Sequence, residues 1–126
     1  MELKGTGPIF HTSDMSESSE AEKKRLPKRF VQFQQDFPEV YQAYAALGDA
    51  TQVAGPLDAK TRALVKLSMA IGSAMEGGVH SHTRRALEAG CTAEDIRHAV
   101  LLGTTTLGFP TMMKAMSWVD DIIKKQ

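Results

Sequence analysis

Apolar residues recur at helical spacing along most of the chain from Leu26 onward. Two stripes of this kind are the clearest: Leu64, Leu67, Ile71 and Met75, and then Met112, Met116, Val119 and Ile123. Positions three, four and seven apart share one face of an α-helix, whereas a half-buried strand would alternate apolar and polar residues, and no segment does so. The pattern therefore predicts an all-α fold of five to six helices.

Two short helices are predicted first, beginning near Pro27 and Pro38, because proline suits the first turn of a helix. We expect the second of them to end before Gly48. Their large apolar residues recur at helical spacing, and we interpret these residues as part of the core. They are Phe30, Phe33 and Phe37 in the first helix, and Val40, Tyr41, Tyr44 and Leu47 in the second.

A longer helix is predicted after the Ala-Gly-Pro break at residues 54–56. Asp58 suits its N-cap, and the apolar stripe continues to about Met75. The pair Gly77 and Gly78 is expected to end or bend this helix. Small residues near its end favour the close approach of a second helix, so we place it at the centre of the domain. They are Ala70, Gly72, Ser73 and Ala74.

Three further helices are predicted in the C-terminal part. The first follows the glycine pair and closes at Gly90, which suits a left-handed terminal position. The sequence Thr-Ala-Glu-Asp at residues 92–95 resembles a capping box and opens a helix that we extend through Thr104. The last helix is expected to begin at Pro110, and its methionine stripe suits a core or a subunit interface.

Residues 1–25 differ in composition from the rest, being rich in Ser, Glu and Lys. Such a segment buries too little apolar area to offset the entropy of ordering. We therefore expect a flexible N-terminal arm over residues 1–25 and one helical domain over residues 26–126. The pair Ile9 and Phe10 within the arm offers an apolar contact to a neighbouring subunit, although an untethered tail is the simpler interpretation.

The chain carries 15 acidic and 15 basic residues, and this balance provides no basic surface for nucleic acid or an anionic membrane. The single cysteine, Cys91, excludes an internal disulfide and agrees with a reducing compartment. No apolar run resembles a signal peptide, and the longest apolar stretch, residues 63–75, is too short to span a bilayer. We expect a soluble, cytoplasmic protein without nucleic-acid or membrane partners.

The candidate chemistry is concentrated in the segment that contains Glu76, His80 and His82. On a helix, Glu76, His80 and Arg84 share one face because they are four residues apart. His82 points away from that face and falls in line with the apolar positions. A histidine titrates near neutral pH and is suited to proton transfer, but a buried histidine bonded to a backbone carbonyl is an equally simple interpretation.

Four motifs in order resemble the carboxymuconolactone decarboxylase family, which includes the alkylhydroperoxidase D-like proteins. They are LDAKTR at residues 57–62, EGGVHSHTRRALEAG at residues 76–90, EDIRH at residues 94–98 and GFP at residues 108–110. The resemblance covers about residues 27–125. It implies an all-helical fold that assembles into a homotrimer or homohexamer, with sites for a small-molecule substrate close to subunit contacts.

The peroxidase branch of that family has a Cys-x-x-Cys pair seven and four residues before the family histidine, and a glutamate twelve residues before the first cysteine. Counted back from His82, these positions hold Met75, Gly78 and Ala63. Peroxiredoxin-type or alkylhydroperoxidase-type antioxidant activity is therefore the weaker alternative. The family histidine is retained at His82, with Arg84 two residues beyond it, which is closer to the decarboxylase branch.

The first functional hypothesis is acid-base catalysis of the decarboxylation type, as in a carboxy-lyase, on a small carboxylated or lactone substrate. His82 would move the proton, and arginine side chains would hold the substrate carboxylate. No cofactor is expected. The candidate catalytic residues are His82, His80 and Glu76, and the candidate substrate-binding residues are Arg84, Arg62 and Arg85.

Two alternatives remain open at the level of the sequence. The chain could be a non-enzymatic oligomer that binds a metal or a small ligand through Glu76 and His80, with a third ligand from His98, His11 or another subunit. Two ligands are too few, so we assign no metal site. Cys91 offers a redox alternative, because a thiol at the start of a helix is expected to have a lowered pKa.

Overall fold

The computed structural model describes residues 26–125, which form helices and short connections without a strand. The prediction of an all-α fold is thus confirmed for this part of the chain. The arm predicted over residues 1–25, with its Ile9, Phe10 and His11, lies outside the described residues. The chain divides into two compact units between Pro56 and Leu57.

The first unit contains helix α1 (Lys28–Asp36) and helix α2 (Pro38–Gln52). Pro38 occupies the first turn of α2, as predicted. The expected end before Gly48 is wrong, because α2 continues through this glycine to Gln52. A single interior glycine costs a helix only about 1 kcal/mol relative to alanine, which neighbouring residues can offset.

Interpreting the apolar residues of the first two helices as core is wrong for Phe37, which lies between α1 and α2, and for most of those on α2. Neither helix has a buried residue. Tyr44 is 65% exposed and Leu47 is 63% exposed in the single chain, and Phe37 and Val40 are exposed as well. The two helices therefore present an apolar surface on the single chain.

The second unit holds the five helices that follow Pro56 among the described residues. They are α3 (Ala59–Gly72), α4 (Glu76–Glu88), α5 (Ala93–Leu101), the one-turn α6 (Gly103–Thr106) and α7 (Phe109–Ile123). Helix α4 packs against α3 and against α7, and α5 contacts both of these helices. The buried core includes Leu67, Ala70, Ile71, Val79, Ala86, Ile96, Val100, Met112, Ala115 and Val119.

The predicted helix caps are confirmed. The carboxylate of Asp58 accepts a hydrogen bond from the backbone N–H of Thr61 at 2.8 Å, which caps α3. Thr92 and Asp95 form a reciprocal capping box at the start of α5, with distances of 2.8 and 3.0 Å. Gly90 has a φ of +99°, the left-handed conformation expected after α4.

The prediction that Gly77 and Gly78 end the long helix is wrong. Helix α3 ends at Gly72, and Ala74 reverses the chain with a φ of +55°. Both glycines lie in the first turn of α4. Gly78 faces α3, and a Cβ atom at this position would lie 3.4 Å from the Cβ atom of Ala70, an ordinary van der Waals contact. The small residue Ala70 thus permits the close approach of two helices.

The C-terminal helices differ from their predicted bounds by a few residues. Helix α5 ends at Leu101 rather than Thr104, and Thr104 belongs to α6. Helix α7 begins one residue before Pro110, after Gly108 with a φ of +103°. Met112 is buried, so the methionine stripe contributes to the core of the unit. No helix within residues 26–125 combines the length and the apolarity that crossing a membrane requires.

Candidate functional site

The two histidines of α4 lie on opposite flanks of its buried face. Val79, Thr83 and Ala86 form that face and are completely buried. The Thr83 hydroxyl donates to the carbonyl of Val79 at 2.7 Å, so the one buried polar side chain of this helix is satisfied. His82 faces the α3 side and His80 faces the α7 side, as their partners show.

His82 is partly buried beside positively charged groups. Its pKa lies below the ordinary value of 6.5, first because burial disfavours the charged imidazolium, and then because Arg85 and Lys66 repel a positive charge. The imidazole is therefore neutral at neutral pH and has a nitrogen available to accept a proton.

Lys66 reaches this flank because α3 and α4 form a helical hairpin. The two helices approach closely at Ala70 and Gly78. Lys66 lies one turn before Ala70 on α3, and His82 lies one turn after Gly78 on α4. The ammonium of Lys66 is close enough to lower the pKa of the His82 imidazole. Lys66 is not among the site residues predicted from the sequence. The signal was present, since this lysine interrupts the longest apolar stretch of the chain.

The three candidate arginines occupy different positions. Arg85, three residues after His82 on α4, contributes to lowering its pKa. Arg62 is engaged at the start of α3, where its Nη1 donates to the carbonyl of Leu57 at 2.5 Å. Arg84 lies one turn beyond His80, on the opposite flank of α4. The cations beside His82 are thus Arg85 and Lys66.

His80 belongs to a separate cluster with Glu76 and Asp121. Its Nε2 atom lies 3.0 Å from Oδ2 of Asp121 on α7. The potential ligand atoms of Glu76, His80 and Asp121 all lie within 4.8 Å of one another. The predicted shared face of Glu76 and His80 is therefore confirmed. The third group is Asp121, whereas the candidate third ligand His98 lies elsewhere.

His98 borders an open groove between α3 and the α5–α6 region, with a volume of about 650 Å³. The groove is mainly apolar, with walls formed by residues such as Leu64, Met69 and Leu107. Asp95 is another polar residue at its border. His82 does not line this groove, so the groove and the candidate catalytic histidine are separate features.

Cys91 does not have the lowered pKa that its position before α5 suggested. It is only 5% exposed, and its Sγ lies 3.7 Å from the carbonyl oxygen of Lys60. Burial raises the pKa of the thiol, and the carboxylate of Asp95 raises it further. The prediction of a lowered pKa is therefore wrong, because desolvation and nearby acids outweigh the helix dipole.

The structure is all-helical and carries a partly buried histidine on the second helix of a close-packed hairpin, which agrees with the class of protein that the motifs predicted. Residues 38–121 match the carboxymuconolactone decarboxylase family, and the chain belongs to this family.

Part of this chain is similar in sequence to a curated protein. The chain is 36% identical over 61 residues to an uncharacterized protein of Haemophilus influenzae, over 48% of this chain and 54% of that protein. The chain thus spans about half the length of the curated relative that it matches. No solved structure matches the chain.

The lowered pKa of His82 predicts a pH dependence of stability. As the pH falls below about 6.5, the unfolded chain takes up a proton at this position before the folded protein does. The free energy of unfolding should therefore decrease from about pH 7 towards pH 5, and urea titrations of His82→Gln should show a shallower decrease. Ser81→Ala, which removes no titrating group, should keep the wild-type slope. Equal slopes for wild type and His82→Gln would contradict the assignment.

Proposed function

We propose that this protein catalyses a decarboxylation by acid-base chemistry on a small carboxylated or lactone substrate, with His82 as the proton-transferring residue. One observation carries the proposal: a partly buried imidazole with a lowered pKa lies beside Arg85 and Lys66. A neutral base next to two cations is suited to a substrate that brings its own negative charge.

In this mechanism, Arg85 and Lys66 hold the substrate carboxylate beside His82. The bound anion compensates the two positive charges, so it raises the pKa of His82 in the complex relative to the free protein. His82 is then able to take a proton from the substrate or a bound water molecule. When carbon dioxide leaves, the electron pair of the broken bond remains on the substrate, and the imidazolium returns a proton to that carbon.

Peroxidase chemistry has less support from the described residues. The positions of the family's cysteine pair hold Met75 and Gly78, so a disulfide cycle of that type has no second thiol. Cys91 is buried and its pKa is raised, which disfavours the thiolate that would attack a peroxide.

The direct test is the release of carbon dioxide from 4-carboxymuconolactone by the purified full-length protein. We expect turnover by the wild type, and a loss of about tenfold in kcat/KM, equivalent to 1.4 kcal/mol, in Lys66→Gln and in Arg85→Gln, mainly through a higher KM. Lys125→Gln removes an exposed lysine from the C-terminal end and should leave kinetics unchanged.

Two outcomes would count against the proposal. One is the absence of turnover with this lactone and with a panel of small carboxylic acids that carry a β-keto or vinylogous group. The other is turnover that Lys66→Gln and Arg85→Gln leave unchanged, because the cations beside His82 would then have no part in binding the substrate.

A further inference from the structure

The cluster of Glu76, His80 and Asp121 lies where the first turns of α4 meet the last turns of α7. Glu76 and His80 are one turn apart on α4, so both side chains reach the same side. Asp121 comes from a different helix, and its Oδ2 lies 3.0 Å from Nε2 of His80. Tertiary packing thus brings three donor groups from two helices together, with all their donor atoms within 4.8 Å.

The neighbouring residue Asp120 shows that the two adjacent aspartates have different environments. Its Oδ1 accepts hydrogen bonds from Nε and Nη2 of Arg97, at 3.0 and 2.8 Å, and Lys124 lies 3.9 Å away. Asp120 is therefore compensated by a cation on α5 and by Lys124, the residue that follows α7. Asp121 instead lies beside the imidazole of His80 and the carboxylate of Glu76. The two carboxylates carry two negative charges, which a bound divalent cation would neutralise.

From this geometry we propose that Glu76, His80 and Asp121 bind a divalent transition-metal ion, of which zinc fits best. Zinc bonds to imidazole nitrogen and carboxylate oxygen are about 2.0–2.2 Å long, so tetrahedral ligand atoms lie roughly 3.3 Å apart. The separation of 3.0 Å between His80 and Asp121 is already close to this value. Three protein ligands leave one position for water, and an imidazole in the set favours zinc over magnesium or calcium.

Metal binding at this cluster requires a change of tautomer at His80. A carboxylate accepts hydrogen bonds, so the contact between His80 and Asp121 places the proton of the neutral imidazole on Nε2 in the absence of metal. The metal takes the lone pair of the same nitrogen, so in the complex that proton lies on Nδ1 instead. Protons compete with the metal for carboxylate and imidazole ligands, so the affinity should decrease in acid.

This inference goes beyond the proposed function, because the cluster and His82 lie on opposite flanks of α4. The ion would join the start of α4 to the end of α7 and would stabilise the packing of the two helices. A metal bound to the folded protein alone also raises the temperature of unfolding. The site is therefore testable without any measurement of catalysis.

The experiment is a calorimetric titration of zinc chloride into untagged, chelator-treated full-length protein at pH 7.5, with thermal unfolding measured in parallel. We expect one zinc ion per chain and a higher Tm in its presence. Glu76→Gln, His80→Gln and Asp121→Asn should each weaken binding at least tenfold. Circular dichroism checks that each variant is folded.

Two variants serve as controls. Glu94→Gln removes an acid from the first turn of α5, as Glu76→Gln does from the first turn of α4, and it should bind zinc like the wild type. His82→Gln should also bind like the wild type, so a failure of the proposed catalysis and a failure of the metal site are distinguishable.

The proposal is overturned if the wild type shows no saturable binding of zinc. It is equally overturned if the three site variants bind as tightly as Glu94→Gln, because the ion would then lie elsewhere. Displacement of zinc by an equal concentration of magnesium would contradict the choice of a transition metal.

Discussion

Replacing His82 by glutamine is expected to reduce turnover of the carboxylated substrate by about 10²–10⁴-fold, the usual contribution of a positioned acid-base group. Glutamine retains hydrogen-bonding atoms and a similar length but cannot take up a proton near neutral pH. The effect should fall on kcat rather than KM, because Arg85 and Lys66 would still hold the carboxylate. Carbon dioxide release by wild type and variant, measured side by side, checks this result.

A matched control for His82→Gln is available in His98→Gln. His98 is an exposed histidine on α5 that borders the apolar groove rather than the His82 flank. It should retain wild-type kinetics. Equal Tm values would show that neither variant has lost the fold. If His82→Gln kept full turnover, His82 would be only a partly buried structural histidine, and the proposed mechanism would be wrong.

Replacing Leu67 by alanine is expected to lower the free energy of unfolding by about 3 kcal/mol, within the range of about 2–5 kcal/mol for buried leucines. Leu67 is completely buried on α3, within the core that also contains Val79 of α4 and Ile96 of α5. The substitution removes apolar contacts and leaves a cavity where these helices meet, and a core packed at high density closes such a cavity only in part. Urea unfolding followed by circular dichroism measures the loss.

The control for Leu67→Ala is Leu101→Ala, which makes the same chemical change at a position that is 53% exposed at the end of α5. Its effect should be within about 0.5 kcal/mol of zero, because little apolar area is lost. A similar loss of stability in both variants would mean that Leu67 is not a core residue of the folded protein in solution. It would also question the packing of α3 on α4 that brings Lys66 to His82.

The charge distribution on α4 explains why its two histidines suit different chemistry. His82 lies beside two cations, which lower its pKa and suit it to an anionic ligand. His80 lies beside two carboxylates, which suit it to a cationic ligand. The same residue type, two positions apart on one helix, thus faces opposite electrostatic environments.

The sequence by itself determined the helical class, the caps and the family. Asp58, the pair of Thr92 and Asp95, and Gly90 were predictable because a cap depends on hydrogen bonds and backbone angles within a few residues. The shared face of Glu76 and His80 was predictable for the same reason, since helical geometry alone brings residues four apart together.

Local sequence patterns gave wrong predictions where one residue type can occur in more than one structural environment. The glycine pair at residues 77–78 suggested a break, but both glycines lie in the first turn of α4, and the positive φ falls at Ala74. Cys91 suggested an activated thiol at a helix start. Burial and neighbouring carboxylates raise its pKa instead, and burial depends on the whole core.

Only the tertiary structure decided which distant residues complete each site. Asp121 lies 3.0 Å from His80 across 41 residues of sequence, and Lys66 lies near enough to His82 to lower its pKa. Neither proximity follows from hydrophobic periodicity, because periodicity predicts which face of a helix is buried but not which helix covers it or at what register. The packing of α4 against α3 and α7 sets both registers, and it thereby assigns His82 to a cationic flank and His80 to an acidic one.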